Sequence, residues 1–305
     1  MKIDQVAAHI YYLDSRNFIS NSVSGVYLVV GDGITLIETS VSLMVPHIFE
    51  AVRRIGYRPE DIKRSIVTHI HLDHAGATGY LSRCLPQMRV YVHERGARHL
   101  IDPSKLIKSA EIVYGNLEKI IAIHGEILPV AFENVVPVLD HELDIGSNVG
   151  LKLFDAPGHA PHHLCVFEPE SGCLFAGEAL GHFYPESQTL SPAVAPPGFD
   201  YDASKSTIEK IKRIQPRILC FSQFGYHYDA APVIDESMRL LDACYQFVKT
   251  RIEQGMPTEK IIEDLSQHIS RNRGARDTPV WEIFAATVLG FQAYFQRTGN
   301  IVSPP

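Results

Sequence analysis

The stretch Thr68-His69-Ile70-His71-Leu72-Asp73-His74-Ala75-Gly76 constrains this chain more than any other. Ahead of it, Ile62, Ser65, Ile66 and Val67 form an apolar run ending in β-branched residues, which reads as a buried strand. Behind it, Ala75, Gly76, Ala77 and Thr78 are small and let a helix start close to whatever the histidines hold. The stretch therefore predicts a strand-to-helix turn carrying three imidazoles and a carboxylate. His69 and His71 are two apart, so extended backbone puts both side chains on one face, within reach of one ion. Asp73 and His74 follow the bend and can point at a second. Imidazole with carboxylate suits zinc, iron or manganese, and no cysteine stands close enough for a structural cysteine-bound zinc. The competing reading is a polar loop with incidental histidines. Four ligand-type side chains in six positions after a strand weigh against it.

On these residues the chain resembles the metallo-β-lactamase superfamily, whose signature is H-x-H-x-D-H, over roughly residues 5 to 230. The resemblance implies an αββα sandwich of the α/β (α+β) class. It also implies further site residues in chain order. Glu38, in Leu36-Ile37-Glu38-Thr39, stands where Asp is usual at the end of an early strand. His159 lies in Ala156-Pro157-Gly158-His159. Glu178, in Ala176-Gly177-Glu178, replaces a bridging Asp, and Gln223, in Phe221-Ser222-Gln223, replaces a histidine. His69, His71 and His159 would hold a first ion. Asp73, His74, Glu178 and Gln223 would hold a second, weaker one, because an amide oxygen is a poorer zinc ligand than imidazole. Zinc is the expected metal, as one or two ions, with iron or manganese as alternatives.

The rest of the chain fits such a fold. Val, Ile and Tyr dominate residues 9–13 and 23–30, and Asp32-Gly33 reads as a hairpin turn into Ile34 to Ile37. Residues 43–56 read as an amphipathic helix closed by Gly56, and 88–92 as a strand. Apolar residues at helical spacing predict one helix between Pro103 and His124, packed outside the fold or over the mouth of the site. His93, His99 and His124 have no partner spacing and read as surface or core histidines. Strands follow at 151–154, 163–167 and 173–176. His162 and His163, next to His159, read either as partners that orient a ligand or as packing.

The loop from Gly181 to Asp200 is long and rich in aromatic residues and proline, which predicts a pocket wall carrying Phe183 and Tyr184. Tyr226 and His227 would approach from the other half. After a helix at 202–214 and a last strand at 217–221, the character changes. Residues 1–230 read as the metal-binding domain and 231–305 as a C-terminal helical extension, with runs at 233–254, 258–270 and 280–296, that closes or buttresses the site. Trp281, Phe284, Phe291, Tyr294 and Phe295 also fit a homodimer face.

Composition bounds the partners. A chain of 305 residues, 45% hydrophobic, can bury one large core or two modest ones. Net charge of -7 gives no basic footprint for nucleic acid. No long apolar run predicts a membrane span, and five cysteines without paired spacing predict a reduced, cytoplasmic setting. The expected chemistry is hydrolysis of an ester, thioester or lactone with an apolar acyl part, by hydroxide on the metal, with Asp73 orienting the water and passing its proton on. A second class stays open: an iron-bound, sulfur-dioxygenase-like oxidoreductase, or a ligand-sensing protein with a modified metal site.

Overall fold

A computed structural model describes residues 3–18, 24–270 and 281–299. The chain divides into two compact units, residues 1–155, 162–177 and 217–228 in one and 156–161, 178–216 and 229–305 in the other. The first holds two sheets. One is seven-stranded in sequence order: β1 (Asp4–Ala7), β2 (Ile10–Leu13), β3 (Val26–Val30), β4 (Ile34–Ile37), β5 (Ile62–Ile66), β6 (Arg89–His93) and β7 (Val135–Val138). Its first four strands pair antiparallel and the rest parallel. The other sheet is formed by β8 (His141–Asp144), β9 (Gly150–Asp155), β10 (Leu164–Glu168), β11 (Cys173–Gly177), β14 (Ile218–Phe221) and β15 (Tyr226–His227), in the order β15-β14-β11-β10-β9-β8.

Strand alternation sorts side chains between two cores. Along β3, Val26 and Leu28 face the helices α1 (Val45–Arg54), α3 (Thr78–Cys84) and α4 (Glu94–Ile101). Tyr27 and Val29 face the second sheet, packing with Leu153, Val166 and Phe175. The Tyr27 hydroxyl reaches the carbonyls of Phe221 (2.9 Å) and Gly225 (2.5 Å), tying the first sheet to the end of β14. Some elements could not be read from the pattern. β7 contains Pro137, tolerated because this strand is at the sheet edge. The expected single helix at 103–124 is two, α5 (Ser104–Tyr114) and α6 (Leu117–His124). Gly115 at φ 94° ends the first, and the Asn116 side chain caps the second by accepting from the Lys119 amide at 2.9 Å. Between β5 and α3 lies the one-turn helix α2 (Leu72–Ala75).

The second unit contains α7 (Tyr201–Ile214), the long helix α8 (Ala230–Glu253), α9 (Thr258–Ser270) and α10 (Trp281–Thr298). It also holds a hairpin of β12 (His182–Tyr184) and β13 (Thr189–Ser191), within the stretch expected to be loop. Phe284, Phe291, Tyr294 and Phe295 of α10 are buried, and the last three pack on Phe199, Tyr201 and Tyr245. These rings, which by sequence also fit a homodimer face, pack inside their own unit, while the side chain of Trp281 and residues 271–274 lie outside the described residues. None of the five cysteines is joined in a disulfide. Among the described residues no helix is long and apolar enough to cross a membrane.

Candidate metal centre

In the first unit the strand-to-helix turn is held from both sides. The carbonyl of Thr68 accepts from the Leu164 amide at 2.7 Å, and that of His74 accepts from the Thr39 amide at 3.0 Å. The carbonyl of His71, at the N-cap of α2, accepts from the amides of His74 and Ala75. His69 and His74 are fully buried, while His71 and Asp73 are half-buried. His69 Nε2 and His71 Nδ1 face each other at 3.0 Å, as their two-residue spacing predicts.

Glu38 organises the far side of the turn. Its backbone sits at φ 65°, and its buried carboxylate accepts from the Thr68 hydroxyl (2.5 Å), the Ser222 hydroxyl (2.7 Å) and the Thr68 amide (3.3 Å). It also faces His74 Nδ1 at 3.1 Å, while His74 Nε2 faces Asp73 Oδ2 at 3.1 Å. Burial disfavours an imidazolium here, but the carboxylates of Asp73 and Glu38 outweigh it and hold the His74 pKa well above its usual value. A neutral ring can donate to only one of two carboxylates, so the second face calls for a proton or a cation. One donor atom each from Glu38, His69 and His74 lies within 4.8 Å of the others. An oxygen and nitrogen donor set this buried fits a divalent cation.

Gln223 donates its amide nitrogen to Asp73 Oδ2 at 2.6 Å, the orientation a carboxylate requires, since the flipped amide would set oxygen against oxygen. Tyr226, expected on a pocket wall, lies on β15 with its ring against Tyr12 and Tyr228, and His227 pairs with Leu219. His163 stacks on His69 with ring centroids 5.1 Å apart, and His162 on the same ring at 6.4 Å. Room for His163 comes from Gly177, at φ 55°, where a Cβ would fall 2.4 Å from His163 Nε2.

The second unit supplies another donor group. Pro157-Gly158-His159 lies on the first turns of α7: the Gly158 carbonyl accepts from the Asp200 amide (2.8 Å) and that of Pro157 from the Thr207 hydroxyl (2.6 Å). The approach needs glycine, because a Cβ at 158 would meet Ser204 Cα at 2.5 Å. His159 Nδ1 donates to the Ala193 carbonyl at 3.0 Å, so in the neutral ring Nε2 is the lone-pair nitrogen. That nitrogen faces Glu178 Oε2 at 2.6 Å, and His182 Nε2 meets Glu178 Oε1 at 2.5 Å. Burial raises the carboxyl pKa, but His159 and His182 dominate and hold it well below the usual range. A cavity of about 20 Å³ lies beside His159, Glu178, Ser204 and Ser237, room for a single water.

Several participants were not expected from sequence. His182 was not singled out, although it stands four residues after Glu178 with Gly181 turning the chain between them at φ 90°. Strand alternation puts His182 and Tyr184 on one face of β12 and the fully buried Phe183 on the other. Phe183 is thus a core residue and not the pocket wall expected of it. In the first unit, Tyr114 is pushed up to about 12, by burial first and then by the Asp73 carboxylate. Burial lowers the pKa of His124, which Asp73 opposes. The stretch that ends α5 and α6 therefore bears on Asp73.

The sequence profile of the Metallo-beta-lactamase superfamily matches residues 21–223, from just ahead of β3 through Gln223. The chain belongs to the metallo-β-lactamase superfamily. Its match to a metallo-beta-lactamase fold-containing protein of Sulfurisphaera tokodaii is 26% identical and covers 67% of this chain and 73% of that protein. An N-acyl homoserine lactonase of Bacillus thuringiensis is 24% identical over 59% of this chain and 61% of the lactonase. In structure, a metallo-beta-lactamase family protein of Thermus thermophilus superposes with a TM-score of 0.71 over 97% of this chain and 95% of that one, at 20% identity, a likeness of fold alone. The expected αββα superfamily fold with C-terminal helices is the one observed.

Proposed function

We propose that this superfamily member hydrolyses an ester, thioester or lactone carbonyl with a divalent metal, zinc first. The observation that carries the reading is the facing pair His69 and His71 at 3.0 Å in a buried turn, with His74 set between two carboxylates. The order of donors along the chain supports His69, His71 and His159 as ligands of one ion, and Asp73, His74 and Glu178 as ligands of a second. When bound, such an ion lowers the pKa of water to about 7 and polarises a carbonyl oxygen.

The remaining work falls to protein groups. Asp73 is the general base that orients the attacking water and the acid that returns its proton to the leaving oxygen or sulfur. Gln223 holds that carboxylate in place through Oδ2. Glu38 and the Ala193 carbonyl fix the rings of His74 and His159, the arrangement that sets ligand direction and basicity. Tyr184, on the same face of β12 as His182, is the substrate contact. Similarity to an N-acyl homoserine lactonase supports a lactone or acyl substrate with an apolar chain.

The test is a panel of acyl thioesters, N-acyl lactones and aryl esters offered to zinc-loaded, iron-loaded and metal-free protein. Hydrolysis by the loaded forms, lost by at least about 100-fold in Asp73→Asn, is expected from the contribution of a positioned acid-base group. Oxygen uptake by the iron form with no hydrolysis of any carbonyl substrate would replace this reading with an oxidoreductase.

A further inference from the structure

Gln223 stands where the superfamily pattern calls for an imidazole, and it spends its amide donor on Asp73. The second unit carries an imidazole that the pattern does not require. His182 Nε2 lies 2.5 Å from Glu178 Oε1, and His159 Nε2 lies 2.6 Å from Glu178 Oε2. One carboxylate therefore offers a separate oxygen to each of two imidazoles. The side chains of His182 and His159 are 12% and 5% exposed, and that of Glu178 is 6% exposed.

We infer that His182 is a metal ligand of this chain: Glu178 bridges, with one oxygen on the ion that His159 holds and the other on the ion that His182 holds. The inference rests on the proposed metal-dependent reading and adds a ligand to it. Three features support it. The lone pair of His159 Nε2 already needs a cation or proton against Glu178, because its Nδ1 hydrogen is committed to Ala193. Glutamate is one methylene longer than the aspartate usual at this position, which lets its two oxygens reach further along the chain. Gly181 at φ 90°, whose amide donates to the Glu178 carbonyl at 3.1 Å, folds the chain back so that a residue four positions on meets the same carboxylate. A Cβ on Gly181 would fall 2.2 Å from the Ser191 carbonyl oxygen, so the turn is specific to glycine.

A ligand and a mere hydrogen-bond partner respond differently to two substitutions of similar length. His182→Gln keeps a donor for Glu178 but offers a metal only a weak amide oxygen, whereas His182→Glu removes the donor, adds like charge beside Glu178, and offers an anionic oxygen ligand. Zinc per chain after dialysis against buffered zinc, and cobalt titration followed by visible absorption, are read for wild type and both variants. Circular dichroism confirms that each is folded. The expected result is two ions in wild type, one in His182→Gln, and two again in His182→Glu. Zinc affinity at the lost site should fall by more than about 100-fold, beyond the range for outer-sphere partners. Two ions held by His182→Gln at unchanged affinity, or one ion in both wild type and His182→Gln, would overturn the assignment of His182 and leave the metal reading standing. No bound metal in wild type would overturn both.

Discussion

Glu38 shows how one side chain fixes the geometry of another. Its carboxylate collects the hydroxyls of Thr68 and Ser222 and the Nδ1 of His74, all buried, at a backbone φ of 65°. Glu38→Ala would leave these groups without their acceptor, and breaking a buried pair of this kind costs about 3–5 kcal/mol. Urea unfolding of the metal-free protein should show that loss, and a change below about 0.5 kcal/mol, the scale of an ordinary surface substitution, would contradict the role assigned to Glu38. His69, His71, Asp73 and His74 were legible in the sequence because their spacing is local and the turn keeps it. The hub at Glu38 was not, because its partners come from residues 30 to 184 positions away. His182 was missed for another reason. Its four-residue offset from Glu178 has meaning only once the turn at Gly181 is known, and nothing in the pattern announces that turn.

At the scale of elements, strands with strong alternation or continuous apolar character, such as β4, β5, β10 and β11, came through within a residue or two of their expected limits. Short edge strands did not, and β7 with its proline is the clearest case. The break between α5 and α6 was hidden because apolar residues keep helical spacing across it, while Gly115 and Asn116 supply the stop and start. Asn116→Ala should cost about 1 kcal/mol through loss of the cap on α6. The same change should speed hydrogen exchange at the Lys119 amide, which the Asn116 side chain now protects. Unchanged exchange there would show that α6 stands without its cap. The 181–200 segment was read as a wall because aromatic residues fill it. Its hairpin instead divides them by alternation, Phe183 into the core and Tyr184 onto the face of His182.

For the molecule as a whole, the account turns on donors far apart in the chain serving a shared ion. His69 and His71 belong to one compact unit, and His159 to the other. Each donor group, taken alone, sets imidazole lone pairs against carboxylates or one another, which is the arrangement a cation resolves. If a single ion joins His69 and His159, removing either residue removes the same ion, and removing both removes nothing further. The decisive measurement is therefore metal per chain, by elemental analysis at fixed free zinc, for wild type, His69→Ala, His159→Ala and the double variant. The account predicts the same reduced stoichiometry in both single variants and in the double. Independent, additive losses, or a wild-type metal content left intact by either single change, would contradict it.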